Sequence, residues 1–255
     1  MKLKKFTIFK SKLVYLIAFS IFVNSQFIYA ETGKADLKDY DFDEGAAAYR
    51  QGDYATAVKK FMGTAEKGDY RAMYALGSMY FDGIGVEQDY MKAYRWFKEA
   101  VNYNYIPAEY KLGLMHDEGT GIPKDYKKAA RLYNKAAKRG FGPAQYGLGL
   151  LYANGHGTTQ NNVKAYAWLA TAEVYFSKVI NEDKEGNAET KQGTTDELEK
   201  EVKRLDKRLD EEFAAQRLEL INIELKKLRE AMTPEQLEET KQLIQTYSKY
   251  RGIIE

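Results

Sequence analysis

Side chains suited to catalysis or metal binding are scarce in this chain. Its 255 residues include two histidines, His116 and His156, and no cysteine. Without cysteine the chain has no disulfide, thiolate nucleophile, zinc ribbon or lipidated N-terminal cysteine. His116 occupies a position at which tyrosine, Tyr80 or Tyr152, stands in two similar segments of the chain, so we interpret it as a packing residue. His156 lies between two loop glycines, where we expect solvent, and we predict no metal and no cofactor.

Two short motifs resemble ion or phosphate sites but lack required residues. The acidic run Asp39–Glu44 resembles the start of a calcium loop, yet its sixth position is Glu44 where glycine is needed, and its twelfth is Arg50 where glutamate is needed. The glycine pairs, such as Gly83 and Gly85, lack the preceding strand and the Lys-Ser/Thr pair of a phosphate loop. No G-x-S-x-G or H-E-x-x-H segment occurs. We therefore predict that the chain is not an enzyme.

Residues 1–30 have the organisation of a secretory signal peptide. Five lysines and no acidic residue precede an apolar run of 11 residues, Leu13–Val23. This run is shorter than the roughly 20 residues that a membrane-spanning helix needs. Cleavage after Ala30 is the first choice and after Ser25 the second, with an uncleaved anchor as the alternative. We predict export to the periplasm or secretion, without stable membrane insertion once the signal is cleaved.

The elements that position the candidate side chains belong to a repeated unit of 36 residues. Residues 72–107, 108–143 and 144–179 align without a gap, and nine of the 36 positions are identical in all three copies. A degenerate copy covers residues 43–71, and terminal repeats are expected to be atypical. The structural positions of the three full copies are Leu76, Gly77, Gly83, Gly85, Ala93, Leu112, Gly113, Gly119, Gly121, Ala129, Leu148, Gly149, Gly155, Gly157 and Ala165.

Each copy is predicted to form a helix, a tight loop and a second helix. Ala72, Leu76 and Tyr80 recur at the spacing of one helix face. Gly77 in the first helix and Ala93 in the second lack bulk, so the two helices can approach closely. A larger side chain at such a glycine would overpack the contact.

The loops carry the signals that end one helix and start the next. Gly83 and Gly85 supply the positive φ that a tight reversal needs. Asp89 follows at a position suited to cap the second helix, and in the last copy either Asn161 or Asn162 takes that role.

The order A-x-Y-x-L-G-x-M-Y, then G-x-G, then D-Y-x-K-A-x-x-W-F-x-x-A resembles the Sel1-like repeat family, a subclass of tetratricopeptide-like proteins. The resemblance covers residues 43–180. It implies an all-α fold, a right-handed α-solenoid of about four helix-turn-helix repeats with a C-terminal helical extension. The sequence departs from the family pattern at Asn104 in place of glycine, Leu132 in place of tryptophan and Asn162 in place of tyrosine.

The C-terminal third follows a different pattern. Residues 181–197 contain a single apolar residue, Ala188, and are predicted to be a linker. Residues 198–255 are predicted to form a helical cap, because their end resembles the closing element of many Sel1-like proteins. The alternative is a homodimer in which the long helix over residues 198–228 pairs with a second chain as a short coiled coil.

The surface of the solenoid is the remaining candidate site. Helix geometry places a varied, mostly polar stripe on the first helices, away from Leu76 and Tyr80. We predict that this stripe faces solvent, either as ordinary surface or as a contact with a partner. Its members are Arg71, Ser78, Asp82, Lys111, Glu118 and Asn154.

The sequence therefore favours a non-enzymatic scaffold or adaptor that binds another protein in the bacterial cell envelope or after secretion. The resemblance implies such adaptor work, and a formal net charge of +2 does not favour a nucleic-acid partner. The alternative is a peptidoglycan- or glycan-linked enzyme or enzyme subunit. Such an enzyme needs a cleft with paired carboxylates of shifted pKa.

Overall fold

The computed structural model describes residues 42–185 and 197–249, and within these ranges the chain is helical with no strand. The predicted all-α repeat architecture is confirmed. In chain order the helices are α1 (Phe42–Arg50), α2 (Tyr54–Glu66), α3 (Tyr70–Asp82), α4 (Tyr90–Asn102), α5 (Ile106–Glu118), α6 (Tyr126–Ala137), α7 (Gly142–Asn154), α8 (Asn162–Glu185), α9 (Glu197–Glu230) and α10 (Pro234–Ser248).

Some of the predicted segments lie outside the described residues. They include the signal peptide over residues 1–30 and both of its cleavage sites. Residues 31–42, which we predict to be an acidic segment leading into the first repeat, also lie outside the described ranges except for Phe42. Helix α8 continues to Glu185, which places residues 181–185 in a helix and not in the linker predicted there. None of the helices in the described ranges combines the length and apolar character needed to cross a bilayer.

The helices form hairpins that contact their neighbours along the chain. The pairs α1–α2, α3–α4, α5–α6 and α7–α8 are the four hairpins, and each second helix also packs against the first helix of the next hairpin. Helices α9 and α10 both pack against α8. This nearest-neighbour arrangement is that of a solenoid.

Side-chain caps and left-handed glycines set the ends of the repeat helices. At the start of α4, α6 and α8, an Asp or Asn accepts a hydrogen bond from the backbone N–H three residues later, at 2.8–3.0 Å. In α8 this residue is Asn161, which decides between the two asparagines considered. Helices α3, α5 and α7 end at glycines with φ of 68–74°, where a Cβ would be strained.

Within each hairpin, a helical glycine lies directly against a large side chain of the second helix. A Cβ added at Gly77 would lie 2.6 Å from the ring of Phe97, one at Gly113 2.8 Å from Tyr133, and one at Gly149 2.7 Å from Leu169. The first hairpin uses the same contact, because a Cβ at Gly45 would lie 2.8 Å from Phe61. These glycines allow the two helices to approach to packing distance.

The second glycine of each loop makes a contact with the preceding hairpin. A Cβ at Gly121 would lie 2.1 Å from the Cβ of Tyr90, and one at Gly157 would lie 2.2 Å from the carbonyl oxygen of Tyr126. Gly85 approaches Tyr54 in the same way, at 2.6 Å. The loop of one hairpin therefore packs onto the start of the second helix of the hairpin before it.

Candidate interaction surface

The predicted surface stripe is only partly exposed. Glu118 and Asn154 are exposed at the ends of α5 and α7, whereas Arg71 and Asp82 are half-buried. Ser78 and Lys111 are each only 8% exposed, so the predicted solvent exposure is wrong for these two. The sequence periodicity indicates which face of a single helix is apolar, but it does not indicate that the first helix of the next hairpin covers part of this polar face. Whether the stripe binds a partner stays a prediction.

Asp82 and Lys111 lie close to each other although they belong to successive hairpins. The Lys111 ammonium is 5.5 Å from the centre of the Phe81 ring. Burial raises the pKa of Asp82 to about 6, and the positive charge of Lys111 offsets only part of that effect. Burial also lowers the pKa of Lys111, against the attraction of Asp82 and Glu118. The opposite charges of Asp82 and Lys111 therefore attract each other across two successive hairpins in a partly dry environment.

Arg71 is occupied by contacts at the start of α3. Its Nη2 donates to Oδ2 of the fully buried Asp69 at 2.6 Å, and its Nε contacts the same carboxylate. Its guanidinium also lies 4.4 Å from the centre of the Phe42 ring in α1. These contacts tie the first two hairpins together, which is a structural role for this residue.

Helix α9 reaches the same face through Arg217. The Arg217 guanidinium lies 5.2 Å from the ring centre of Tyr146 and 5.1 Å from that of Phe213. Burial raises the pKa of Tyr110 to about 12, and the charge of Arg217 works against that rise. The C-terminal extension thus contributes a cation to the first-helix face of the last two hairpins.

A second group of polar side chains surrounds Asp117. Tyr133 donates its hydroxyl to Oδ2 of Asp117 at 3.3 Å. Burial raises the pKa of Asp117, while the hydrogen bond from Tyr133 and the charges of Lys124 and His156 lower it. Burial also raises the pKa of Tyr133. Asp117 is thus a second carboxyl of raised pKa, in the hairpin that follows the one carrying Asp82.

The two histidines take packing and stacking positions. His116 is 6% exposed, and its ring meets the edge of Tyr94 at 6.0 Å. Burial lowers the pKa of His116, and the charge of Lys128 acts in the same direction. His156 is exposed as expected, but it also stacks on Tyr126 with ring centres 4.5 Å apart, which the sequence did not indicate.

Glu109 was missed by the sequence analysis. Its side chain is fully buried, and it ion-pairs with Lys135 at 2.6 Å and Arg139 at 3.5 Å. The same two cations donate to Asn104, Lys135 to its side chain and Arg139 to its carbonyl oxygen. The unusual Asn104 and the change from Met73 to Glu109 to Gln145 at one repeat position were the available signals.

The described residues hold no group of three or more His, Cys, Asp or Glu that could bind a metal ion. What the geometry does provide is a set of helical hairpins with fixed internal contacts and varied side chains on their surfaces. Those features define a helical-repeat protein.

The comparison with protein families identifies the repeat type. The Sel1 repeat model matches residues 71–102, 106–141 and 142–172. This chain therefore contains Sel1 repeats, and they coincide with its three full copies. The match does not include residues 43–70, where α1 and α2 nevertheless form the same kind of contact, between Gly45 and Phe61.

Individual relatives share part of this chain. It is 39% identical over 69 residues to a protein named exopolysaccharide production negative regulator from Rhizobium leguminosarum bv. viciae, covering 27% of this chain and 24% of that protein. It is similar to a protective antigen of uropathogenic Escherichia coli with an SLR fold, at 25% identity and a TM-score of 0.55, covering 78% of this chain and 34% of the other. A Sel1 repeat protein from Oxalobacter formigenes gives 27% identity and a TM-score of 0.50, with 60% and 65% covered. The chain therefore spans about a quarter of the length of the named regulator.

Proposed function

We propose that this chain is an exported, non-enzymatic scaffold that binds another protein along its solenoid surface, in the bacterial envelope or outside the cell. The observation that carries the proposal is that the repeat uses different positions for packing and for the exposed surface. Positions that are identical between copies, such as Gly77 and Ala93, are used in packing, while exposed positions such as Glu118 and Asn154 vary. A rigid framework of this kind loses little entropy on binding.

The comparisons support this proposal at a coarser level. Sel1 repeat proteins generally mediate contacts between proteins, and one relative of part of this chain is named a regulator. Export is supported by the cationic and apolar pattern of residues 1–30. A signal-bearing scaffold in the envelope would bring a partner protein to a fixed surface without chemistry of its own.

Site-specific photo-crosslinking in the source cells tests the binding proposal. A crosslinking amino acid placed in turn at the exposed positions of the solenoid, among them Glu118 and Asn154, is expected to give a discrete adduct with one protein from at least one position. The same amino acid at the exposed Glu239 of α10 serves as the control. The purified partner must then bind the full chain in solution. Absence of a protein adduct from every exposed solenoid position would refute the proposal.

Export is tested separately with an alkaline phosphatase fused after residue 40. We expect an active enzyme, because alkaline phosphatase needs an oxidising compartment to form its disulfides. A fusion after residue 12, before the apolar run, is the matched control and should be inactive. An inactive fusion at residue 40 would contradict export while leaving the binding proposal open to its own test.

A further inference from the structure

The second helices of the first three hairpins carry one exposed cation each at the same repeat position. These residues are Lys59 in α2, Arg95 in α4 and Arg131 in α6. The equivalent residue of the fourth hairpin is Ala167, which is fully buried on α8, the helix that packs against α9 and α10. The row of cations therefore extends along the solenoid and stops at the helix that the C-terminal extension covers.

These three cations make no ion pair within the described ranges, whereas several cations near them do. Lys92 and Lys128 pair with the capping aspartates of their own helices at 3.6 and 3.3 Å. Lys135 and Arg139 pair with the buried Glu109. Those contacts have a structural purpose within the solenoid. The row at Lys59, Arg95 and Arg131 has none, so its charge is left for a partner.

Helix α4 adds apolar anchors beside Arg95. Met91 precedes Arg95 by one helical turn and is 48% exposed, and Tyr103 follows the helix and is 50% exposed. The Tyr103 ring packs against Tyr70 with ring centres 6.3 Å apart, which orders it before any partner arrives. Tyrosine, methionine and arginine are the residues enriched in protein interfaces.

Lys98 is a further exposed cation of α4. We propose that this surface, formed by Lys59, Met91, Arg95, Lys98, Tyr103 and Arg131, docks an acidic segment of a protein partner. The inference rests on the proposed protein-binding function and assigns it to the second helices. Arginine forks bind carboxylates through two parallel hydrogen bonds, so aspartate or glutamate side chains fit the row. Glu99 is also exposed on α4, so the surface has mixed charge and suits a polypeptide of mixed side chains better than a uniform polyanion such as a lipid surface or nucleic acid. The apolar anchors likewise favour a polypeptide that carries both carboxylates and apolar side chains.

Selection of peptides from a displayed random library against the full-length chain tests the proposal. We expect enrichment of acidic peptides with at least one aromatic or aliphatic residue. Synthetic copies of these peptides should bind about tenfold or more weakly to the triple variant Lys59→Glu, Arg95→Glu, Arg131→Glu. The matched control reverses three exposed cations elsewhere, Lys226→Glu, Arg229→Glu and Lys249→Glu, and should bind like the original chain.

The outcomes separate the surface from the general function. Peptides that bind both triple variants equally, or that lose binding only when Glu118 is changed to Lys, would overturn the docking surface and leave the scaffold proposal standing. Failure to select any peptide would overturn the docking surface, while the photo-crosslinking result would decide the scaffold proposal. Vesicles of anionic phospholipid provide a further arm, because binding of vesicles but not of acidic peptides through the row would also overturn the proposal. Circular dichroism of each variant verifies folding, since all of the changed side chains are exposed.

Discussion

Replacing Gly157 with alanine tests whether the second loop glycine holds neighbouring hairpins together. Gly157 has φ of 66°, and an added Cβ would lie 2.2 Å from the carbonyl oxygen of Tyr126 and 2.6 Å from the backbone nitrogen of Lys127. Those atoms belong to the backbone at the start of α6 and cannot rotate away. The loop must therefore move, and with it the contact between the third and fourth hairpins.

Gly52 provides the matched control for the magnitude. Its φ is 78°, and a Cβ there would meet nothing within 4 Å. Gly52→Ala should therefore cost only the left-handed backbone penalty, about 1–2 kcal/mol. Gly157→Ala carries the same penalty plus overpacking of about 1–3 kcal/mol. We expect the free energy of unfolding to fall by about 2–5 kcal/mol in total for Gly157→Ala.

Urea unfolding followed by tryptophan fluorescence measures the effect and its location. The chain has two tryptophans, Trp96 in α4 and Trp168 in α8. Single-tryptophan versions made by Trp→Phe at the other position report on separate hairpins. Because repeat arrays unfold as neighbouring units, Gly157→Ala should lower the midpoint reported by Trp168 more than the midpoint reported by Trp96. With a slope of about 1–3 kcal/mol per molar urea, the shift should reach about 1 M.

Equal destabilisation by Gly157→Ala and Gly52→Ala would refute the reasoning, because it would mean that the left-handed backbone alone accounts for the cost. Gly155→Ala refines the comparison within one loop. Its φ is 68°, and an added Cβ would lie 3.3 Å from the Cβ of Gln160, a contact that can relax. Its cost should therefore lie between those of the other two variants.

Three further predictions concern contacts described above. Gly113→Ala should lower the free energy of unfolding by about 1–3 kcal/mol, because its Cβ would lie 2.8 Å from Tyr133. Gly63→Ala, whose Cβ would meet nothing within 4 Å, should raise the free energy of unfolding by about 0.5–1 kcal/mol, and equal urea midpoints for the two variants would contradict this account. A double-mutant cycle of Glu109→Gln and Lys135→Gln should give a coupling free energy of about 1 kcal/mol. This value is lower than that of a fully buried pair because the Lys135 side chain is 47% exposed, and zero coupling would show that the ion pair contributes nothing to stability. The folded-state pKa of Asp82 is about 6 against an ordinary 3.8, so ionising Asp82 destabilises the fold as pH rises through this window. The free energy of unfolding of Asp82→Asn, measured by thermal or urea unfolding, should therefore rise by about 1 kcal/mol or more relative to that of the original chain between pH 4 and pH 7. A difference between the two chains that does not depend on pH would refute the assignment.

The sequence predicted the helical hairpins because its strongest signals are local and repeated. The spacing of Ala72, Leu76 and Tyr80 defines a helix face, and the capping residues mark where helices start. Contacts between hairpins were harder to predict because they depend on how one helix lies against the next. Lys111 illustrates the difference: its place in the helical pattern is that of a surface residue, yet the structure buries it beside Asp82.

Buried polar residues escaped the sequence analysis for a related reason. Glu109 lies at a position occupied by Met73 in the preceding copy and Gln145 in the following one. No periodic pattern indicates that its charge is balanced by Lys135 of the next helix, since that pairing arises from the fold. A charged residue that replaces an apolar one between otherwise similar copies is the kind of sequence difference that points to such a pair.

The positions at which one copy differs from the others correspond to differences in what that copy contacts. Asn104 replaces the usual glycine but keeps a left-handed backbone, with φ of 57°, and its side-chain oxygen accepts a hydrogen bond from Lys135. Asn162 replaces the tyrosine that receives the loop of the following hairpin, and α8 is followed by α9 in place of such a loop. Ala167 replaces the exposed cation of the earlier second helices and is buried where α9 and α10 pack against α8. Because the change at α8 removes both a loop-receiving tyrosine and a surface charge, the fourth hairpin is built to receive the C-terminal helices, and the cationic surface is confined to the first three.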